Sequence, residues 1–259
     1  MVTQALFHDA GHGYDAFGLH PPSLARAIAL ARPIYQHYFR VSSHGARHVP
    51  PSGPAIVVAN HSGALPMDSA MLCLDLLLHT DPPRIPRAIA DRFLPLLPFV
   101  GTLLGRLGVV VGSAANVRRL LEDGELIAIW PEGTTGTGKH FRDRYRLQDW
   151  RVGHAELALR HRAPIVPAAV IGAEESWPVV ARLRHGPRFG APYVPFPASP
   201  IPLPAHYHIH YGEPLRLHED YPDDAADDPD AVADAAARVR DALEDLVERG
   251  LARRKAVFL

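Results

Sequence analysis

Ala55-Ile56-Val57-Val58-Ala59-Asn60-His61-Ser62-Gly63 decides how this chain is read. Five small or β-branched residues with no polar member among them fit a strand buried on both faces. The run stops on an asparagine, a histidine and two small residues, which suits a tight turn at the strand's carboxyl end. Leu126 to Trp130 repeats the arrangement and stops on Pro131-Glu132-Gly133-Thr134. Pro86 to Ala90, Val109 to Val111 and Pro164 to Ile171 are further strand candidates. Between them lie helix-like stretches: Met67 to His79, Ala114 to Asp123 closed by Gly124, and a segment near Val152 to Arg162. Alternation of this kind predicts an α/β domain with a mixed, largely parallel sheet flanked by helices.

Working outward, Ser23 to Phe39 reads as a helix capped by Ser23 and kinked at Pro33. Tyr207 to Tyr211 reads as a late strand, and the carboxylate-rich stretch Glu219 to Asp230 as a solvated turn. A C-terminal helix over about 229–254 follows, with Val232, Ala236, Val239, Leu243 and Leu246 on one buried stripe. The expected organisation is an N-terminal tail over 1–20 and one domain over 21–259.

Composition narrows the function classes. The chain has 259 residues, 47% hydrophobic and 21% charged, and a formal net charge of −1. That is the make-up of a globular protein with no overall field to draw nucleic acid. Cys73 is the one cysteine, which rules out an intrachain disulfide and a thiolate metal cluster and fits a cytoplasmic setting. The first twenty residues hold Asp9, Asp15, His8, His12 and His20 without a basic start or an apolar core, unlike a signal peptide. The nearest approach to a membrane span, Phe93 to Val111, is broken by Pro95, Pro98, Gly101, Gly105, Arg106 and Gly108. A protein peripheral to the cytoplasmic face of a membrane is expected, with no transmembrane helix.

The two strand ends carry the chemistry. In open α/β sheets, ligands gather at the carboxyl edge, where His61 and Glu132 both fall. Histidine is the side chain best suited to remove a hydroxyl proton near neutrality, and a carboxylate that holds its tautomer improves it. Asp68, from the start of the next helix, or Glu132, from the neighbouring strand, can supply that carboxylate. Ser62 and Gly63 allow close approach of a substrate, and their N–H groups can stabilise an oxyanion.

Asn60-His61-Ser62-Gly63-Ala64-Leu65-Pro66-Met67-Asp68 resembles the first motif of the glycerolipid and lysophospholipid acyltransferase family. Ile129-Trp130-Pro131-Glu132-Gly133-Thr134 resembles the third, and Ala163-Pro164-Ile165-Val166-Pro167 the fourth. The order and separations also match, over about residues 50–175. Gly172-Ala173-Glu174-Glu175 and Tyr145-Arg146-Leu147 are similar to a subgroup of mono- and diacylglycerol acyltransferases. The resemblance implies His61 as base, Asp68 as its partner, and Glu132 with Gly133 in the acceptor site. Asn60, Ser62, Pro131 and Thr134 belong to the same motifs. It also implies acyl-CoA or an acyl carrier protein as donor, a lipid acceptor, and no cofactor or metal.

Two departures stand out. Six residues separate His61 from Asp68, where the family usually has four. The second motif usually supplies a phosphate-gripping arginine, whereas Gly108-Val109-Val110-Val111-Gly112 is followed by Ser113, with Arg118 and Arg119 further on. Either the acceptor lacks a phosphate at that point or Arg118 or Arg119 takes over the grip.

Other features weigh less. Lys139, Arg142, Arg144 and Arg146 form a basic loop that can meet the phosphates of CoA or anionic headgroups. Leu94 to Leu104 and the acid-free Val179 to Pro204, with Arg182, Arg184, Arg188, Phe189, Tyr193 and Phe196, are candidates for resting on lipid. His206, His208 and His210 alternate on one strand face but no acidic ligand pairs with them, so no metal role is assigned. The rival readings are an ester or thioester hydrolase using the same site, and a non-catalytic lipid-binding protein. The absence of a Gly-x-Ser-x-Gly elbow counts against a serine lipase.

Overall fold

The computed structural model describes residues 7–94, 97–183 and 193–258. The chain enters through α1 (Pro21–Pro33), which runs directly into a π-helical turn, Ile34–Tyr38. The helix begins two residues before the expected cap. Pro21 takes the first position, where its missing N–H costs nothing, and Ser23 Oγ pairs with His20 Nδ1 at 2.8 Å. Pro33 marks the change of winding, since proline cannot donate the regular i→i−4 bond.

A seven-stranded sheet follows: β1 (Ser42–His44), β2 (Ala55–Ala59), β3 (Pro86–Ala90), β4 (Val110–Val111), β5 (Leu126–Ile129), β6 (Ile165–Ile171) and β9 (His208–Tyr211). Their spatial order is β1-β9-β6-β2-β5-β3-β4. The five strands from β6 to β4 are parallel, while β9 is antiparallel to β6 and carries β1 parallel to itself. The sheet is thus mixed and largely parallel, as the alternation implied. Three strands escaped sequence reading: β1, and the separate hairpin β7 (Val179–Leu183) with β8 (Val194–Pro197).

Helices cover both faces. On one, α2 (Met67–His79), α1 and the π turn pack with Ala55, Val57 and Ala59. On the other, α4 (Ala114–Glu122), α5 (Gly153–Arg160) and α8 (Pro229–Arg253) pack with Ile56 and Val58. All five β2 residues are buried, which is why its sequence is continuously apolar. Short helices α3 (Val100–Arg106), α6 (Ala173–Ser176) and α7 (Leu217–Asp220) complete the set. The stripe expected on α8 is buried, and Ala225 and Ala226 in the acidic turn are buried with it. Ahead of α1, Leu19 is buried and Asp15 pairs with the buried guanidinium of Arg87 at 2.6 Å, so the segment preceding α1 lies against the sheet.

The topology reverses between two adjacent central strands. β2 and β5 are adjacent and parallel, yet the first helix after β2, α2, packs on one face and that after β5, α5, on the other. Ligand sites form at such a reversal because the diverging connections leave a gap at the carboxyl ends. His61 leaves β2 and Glu132 leaves β5 on either side of it.

Candidate active site

His61 Nδ1 lies 2.7 Å from Asp68 Oδ2, and the imidazole is about one-eighth exposed beside a fully buried carboxylate. A carboxylate only accepts, so Nδ1 carries the proton and Nε2 keeps a lone pair for a substrate hydroxyl. Asp68 is further fixed by the amides of Ser62, at 2.9 Å, and Ser69, at 2.7 Å. It stands in the first turn of α2, where the helix dipole favours a negative charge. The two extra residues between His61 and Asp68 therefore enlarge the loop without separating the pair.

Glu132 makes a different contact. Its Oε1 accepts from the backbone N–H of His61 at 2.9 Å, and its Oε2 from the backbone N–H of Gln148 at 2.8 Å. Of the two carboxylates left open by the sequence, Asp68 meets the ring and Glu132 holds the main chain that carries it. Trp130 packs beside the imidazole with ring centroids 5.5 Å apart.

Other predicted residues fall in varied places. Asn60 is buried and clasps Val170, donating to its carbonyl at 3.0 Å and accepting from its amide at 2.8 Å, a clamp between β2 and β6. The Ser62 amide is committed to Asp68, which removes it as an oxyanion donor, while Gly63, at φ +86°, accepts from the Gly138 amide at 2.8 Å. Pro131 and Gly133 are buried, and the space a Gly133 side chain would need is taken by the Arg151 guanidinium, which pairs with Asp91 at 3.1 Å. The carbonyls of Thr134 and Thr137 accept from Tyr193.

Lys139 is not part of an open basic loop. It is 3% exposed, with Nζ 3.4 Å from both Glu132 Oε2 and Glu174 Oε1. Burial raises Glu174 to about 7, against the opposing pull of Lys139 and the Tyr145 amide. Ser113 Oγ caps α4 by accepting from the Asn116 amide at 3.2 Å. Arg118 is exposed on that helix, and β5 and β3 lie between β4 and β2. These two residues are thus not brought to His61.

Sequence reading does not place the residues that close the loop over the site: it does not single out Gly136, and it reads Arg182 as part of a lipid-facing stretch. A Cβ on Gly136 would fall 2.7 Å from Glu132 Cβ and 2.8 Å from His61 Cβ, so glycine is required by close approach. Arg182 turns inward and donates to the carbonyls of Gly138, at 2.6 Å, and Thr135, at 3.3 Å. The glycine-rich run after Glu132 was the available signal. Tyr145 and Glu174–Glu175, noted separately in the sequence, meet in space: the Tyr145 amide donates to Glu174 at 2.9 Å, and its hydroxyl to Glu175.

Of the segments proposed to face lipid, Phe99, Val100 and Leu103 are exposed, as are Val180, Leu183, Val194 and Phe196; Leu65, outside both segments, is exposed too. Arg184, Arg188 and Phe189, with Pro95 and Leu96, lie outside the described residues. Among the described residues, no helix is long and apolar enough to cross a membrane.

A histidine–carboxylate pair at the switch point of an α/β sheet, backed by a glutamate from the adjoining strand, defines a class that comparison with known proteins makes specific. The Acyltransferase family matches residues 40–171, and the chain belongs to this family, which includes the glycerolipid acyltransferases. An uncharacterised protein of Mycobacterium tuberculosis is 36% identical over 95% of this chain and 72% of its own length. A bovine protein named "DGAT1/2-independent enzyme synthesizing storage lipids" is 24% identical over 80% of this chain and 58% of its own. Among solved structures, the 1-acyl-sn-glycerophosphate acyltransferase PlsC of Thermotoga maritima shares the fold, with a TM-score of 0.59 over 90% of this chain and 81% of that one at 17% identity.

Proposed function

We propose that this protein transfers a fatty acyl group from a thioester, acyl-CoA or acyl carrier protein, to a hydroxyl of a glycerolipid or related lipid. The observation that carries the reading is the His61–Asp68 pair, which leaves Nε2 as a proton acceptor beside the carboxyl ends of β2 and β5. Nε2 takes the acceptor's hydroxyl proton as its oxygen attacks the thioester carbonyl. Asp68 stabilises the imidazolium that results. Collapse of the tetrahedral intermediate breaks the C–S bond, and the imidazolium returns the proton to the departing thiolate. His61 acts as base throughout, so no acyl-enzyme, cofactor or metal enters the scheme.

Ser113 at the position where the family usually carries a phosphate-gripping arginine favours an acceptor without a phosphate there. The similarity to a storage-lipid enzyme points the same way, towards mono- or diacylglycerol. Exposed Leu65, just beyond His61, together with Phe99 and Leu103, supports work at a lipid surface.

The test is a donor–acceptor screen with labelled acyl-CoA of several lengths, or acyl carrier protein, and His61→Ala as control. Lysophospholipid, glycerol phosphate, monoacylglycerol and diacylglycerol are offered in liposomes. A His61-dependent acylated neutral lipid is expected. Acylation only of phosphorylated acceptors would overturn the acceptor assignment, and free fatty acid as sole product would replace transferase with hydrolase.

A further inference from the structure

The histidines repeated along β9 find their partner on another strand. His208 and His210 lie two residues apart on one face, and His44 of β1 stands in register with His210. The His44 and His210 rings stack with centroids 4.6 Å apart. His206, expected from the sequence to share the face, lies before β9 and stacks on His208 at 4.2 Å, with Nε2 2.9 Å from Ser42 Oγ. One ring nitrogen from each of His44, His208 and His210 lies within 4.8 Å of the other two.

That spacing is close to a metal site. Tetrahedral Zn–N bonds of 2.0–2.1 Å place ligand atoms about 3.4 Å apart, so the three rings, now 11–18° from parallel, must turn toward one another to close the gap. The exposed His44 has room to turn. His210 is held in place, since Gly250 of α8 approaches so closely that a Cβ there would lie 3.0 Å from its ring. A cavity of about 310 Å³, lined by His44, His210, Glu213, Arg249 and Arg253 among others but not by His208, opens beside two of the three rings, and a fourth ligand to the ion would be water from that side. Three imidazoles with no carboxylate select zinc, copper, nickel or cobalt over magnesium or calcium. The arginines temper affinity without removing the ligand set.

We propose that His44, His208 and His210 bind a divalent transition-metal ion of the zinc type. The site pins β1 to β9 on the face of the sheet covered by α8, away from the Asp68 face. Its role is to hold the reversed edge of the sheet, independent of acyl transfer.

The experiment uses tag-free full-length protein titrated with zinc chloride by calorimetry, with cobalt chloride followed by visible absorption. One metal per chain is expected, with the d–d bands of four-coordinate cobalt and a Tm that rises with zinc. His44→Ala and His208→Gln should each weaken binding at least about tenfold and abolish the Tm rise. His37→Ala, on the exposed π turn, should leave both unchanged. His44 is exposed on a sheet edge, so His44→Ala folds, which circular dichroism checks. No heat and no cobalt spectrum at millimolar metal, or undiminished binding in both ligand variants, would overturn the proposal.

Discussion

Asp68 and Asp75 both belong to α2, two turns apart, and each is wholly buried. Asp68 meets the His61 ring and two backbone amides at the sheet's carboxyl edge. Asp75 accepts from the hydroxyls of Tyr35, Ser43 and Tyr211, with His79 Nδ1 at 3.2 Å. Burial and the neighbouring carboxylate push both tyrosines above their ordinary range, which keeps them protonated as donors. Burying a carboxylate is tolerated in either place because donors surround it. What differs is the donor. In the proposed reaction the imidazole makes Asp68 part of a proton-transfer device, whereas hydroxyls make Asp75 a fastener tying the π turn, β1 and β9 to α2.

The largest expected effect breaks the chemistry alone. His61→Ala should lower kcat by about a thousandfold while circular dichroism and Tm stay near wild type, since general-base catalysis contributes 10²–10⁴-fold. A smaller loss would move the base elsewhere. Asp75→Ala should do the reverse. It strands buried hydroxyls of Tyr35 and Tyr211, costing about 3 kcal/mol in urea unfolding. Its kcat, measured where the variant is folded, should be unchanged. A fall in kcat matching Asp68 variants would erase the distinction.

Asp68→Asn should then cost about a hundredfold in kcat and about 1 kcal/mol of stability, because tautomer control of His61 is lost and one amide oxygen cannot accept from both Ser62, held by Oδ2, and Ser69, held by Oδ1. A third buried carboxylate sharpens the contrast. Glu174, raised to about 7 by burial, binds its proton more tightly folded than unfolded. Its contribution is therefore fully present below about 4.5 and declines as pH rises towards about 7, by at most about 1.4 kcal/mol per pH unit. Glu174→Gln should flatten the fall in Tm across that window. An unchanged slope would show that Lys139 keeps Glu174 ionised throughout.

Much of this was legible because it is local. The apolar run of β2 and the apolar density of α2 appear at their expected bounds. Three polar residues make β1 too short and too hydrophilic to be recognised, and only its pairing with β9 defines it. Asp75 passed unnoticed in an apolar helix because its partners come from positions 35, 43 and 211. Lys139 read as a surface charge for the same reason, its two carboxylates lying on separate elements.

The sequence by itself determined the alternation of strands and helices and the delivery of His61 and Glu132 to one sheet edge, since burial and turn chemistry act over a few neighbouring residues. Tertiary structure alone decided that Asp68 holds the ring, that Glu132 holds the backbone, that Gly136 must be small, and that His44 joins His208 and His210. Each of those outcomes depends on contacts a few ångströms long between segments far apart in the chain, and no local pattern encodes such distances.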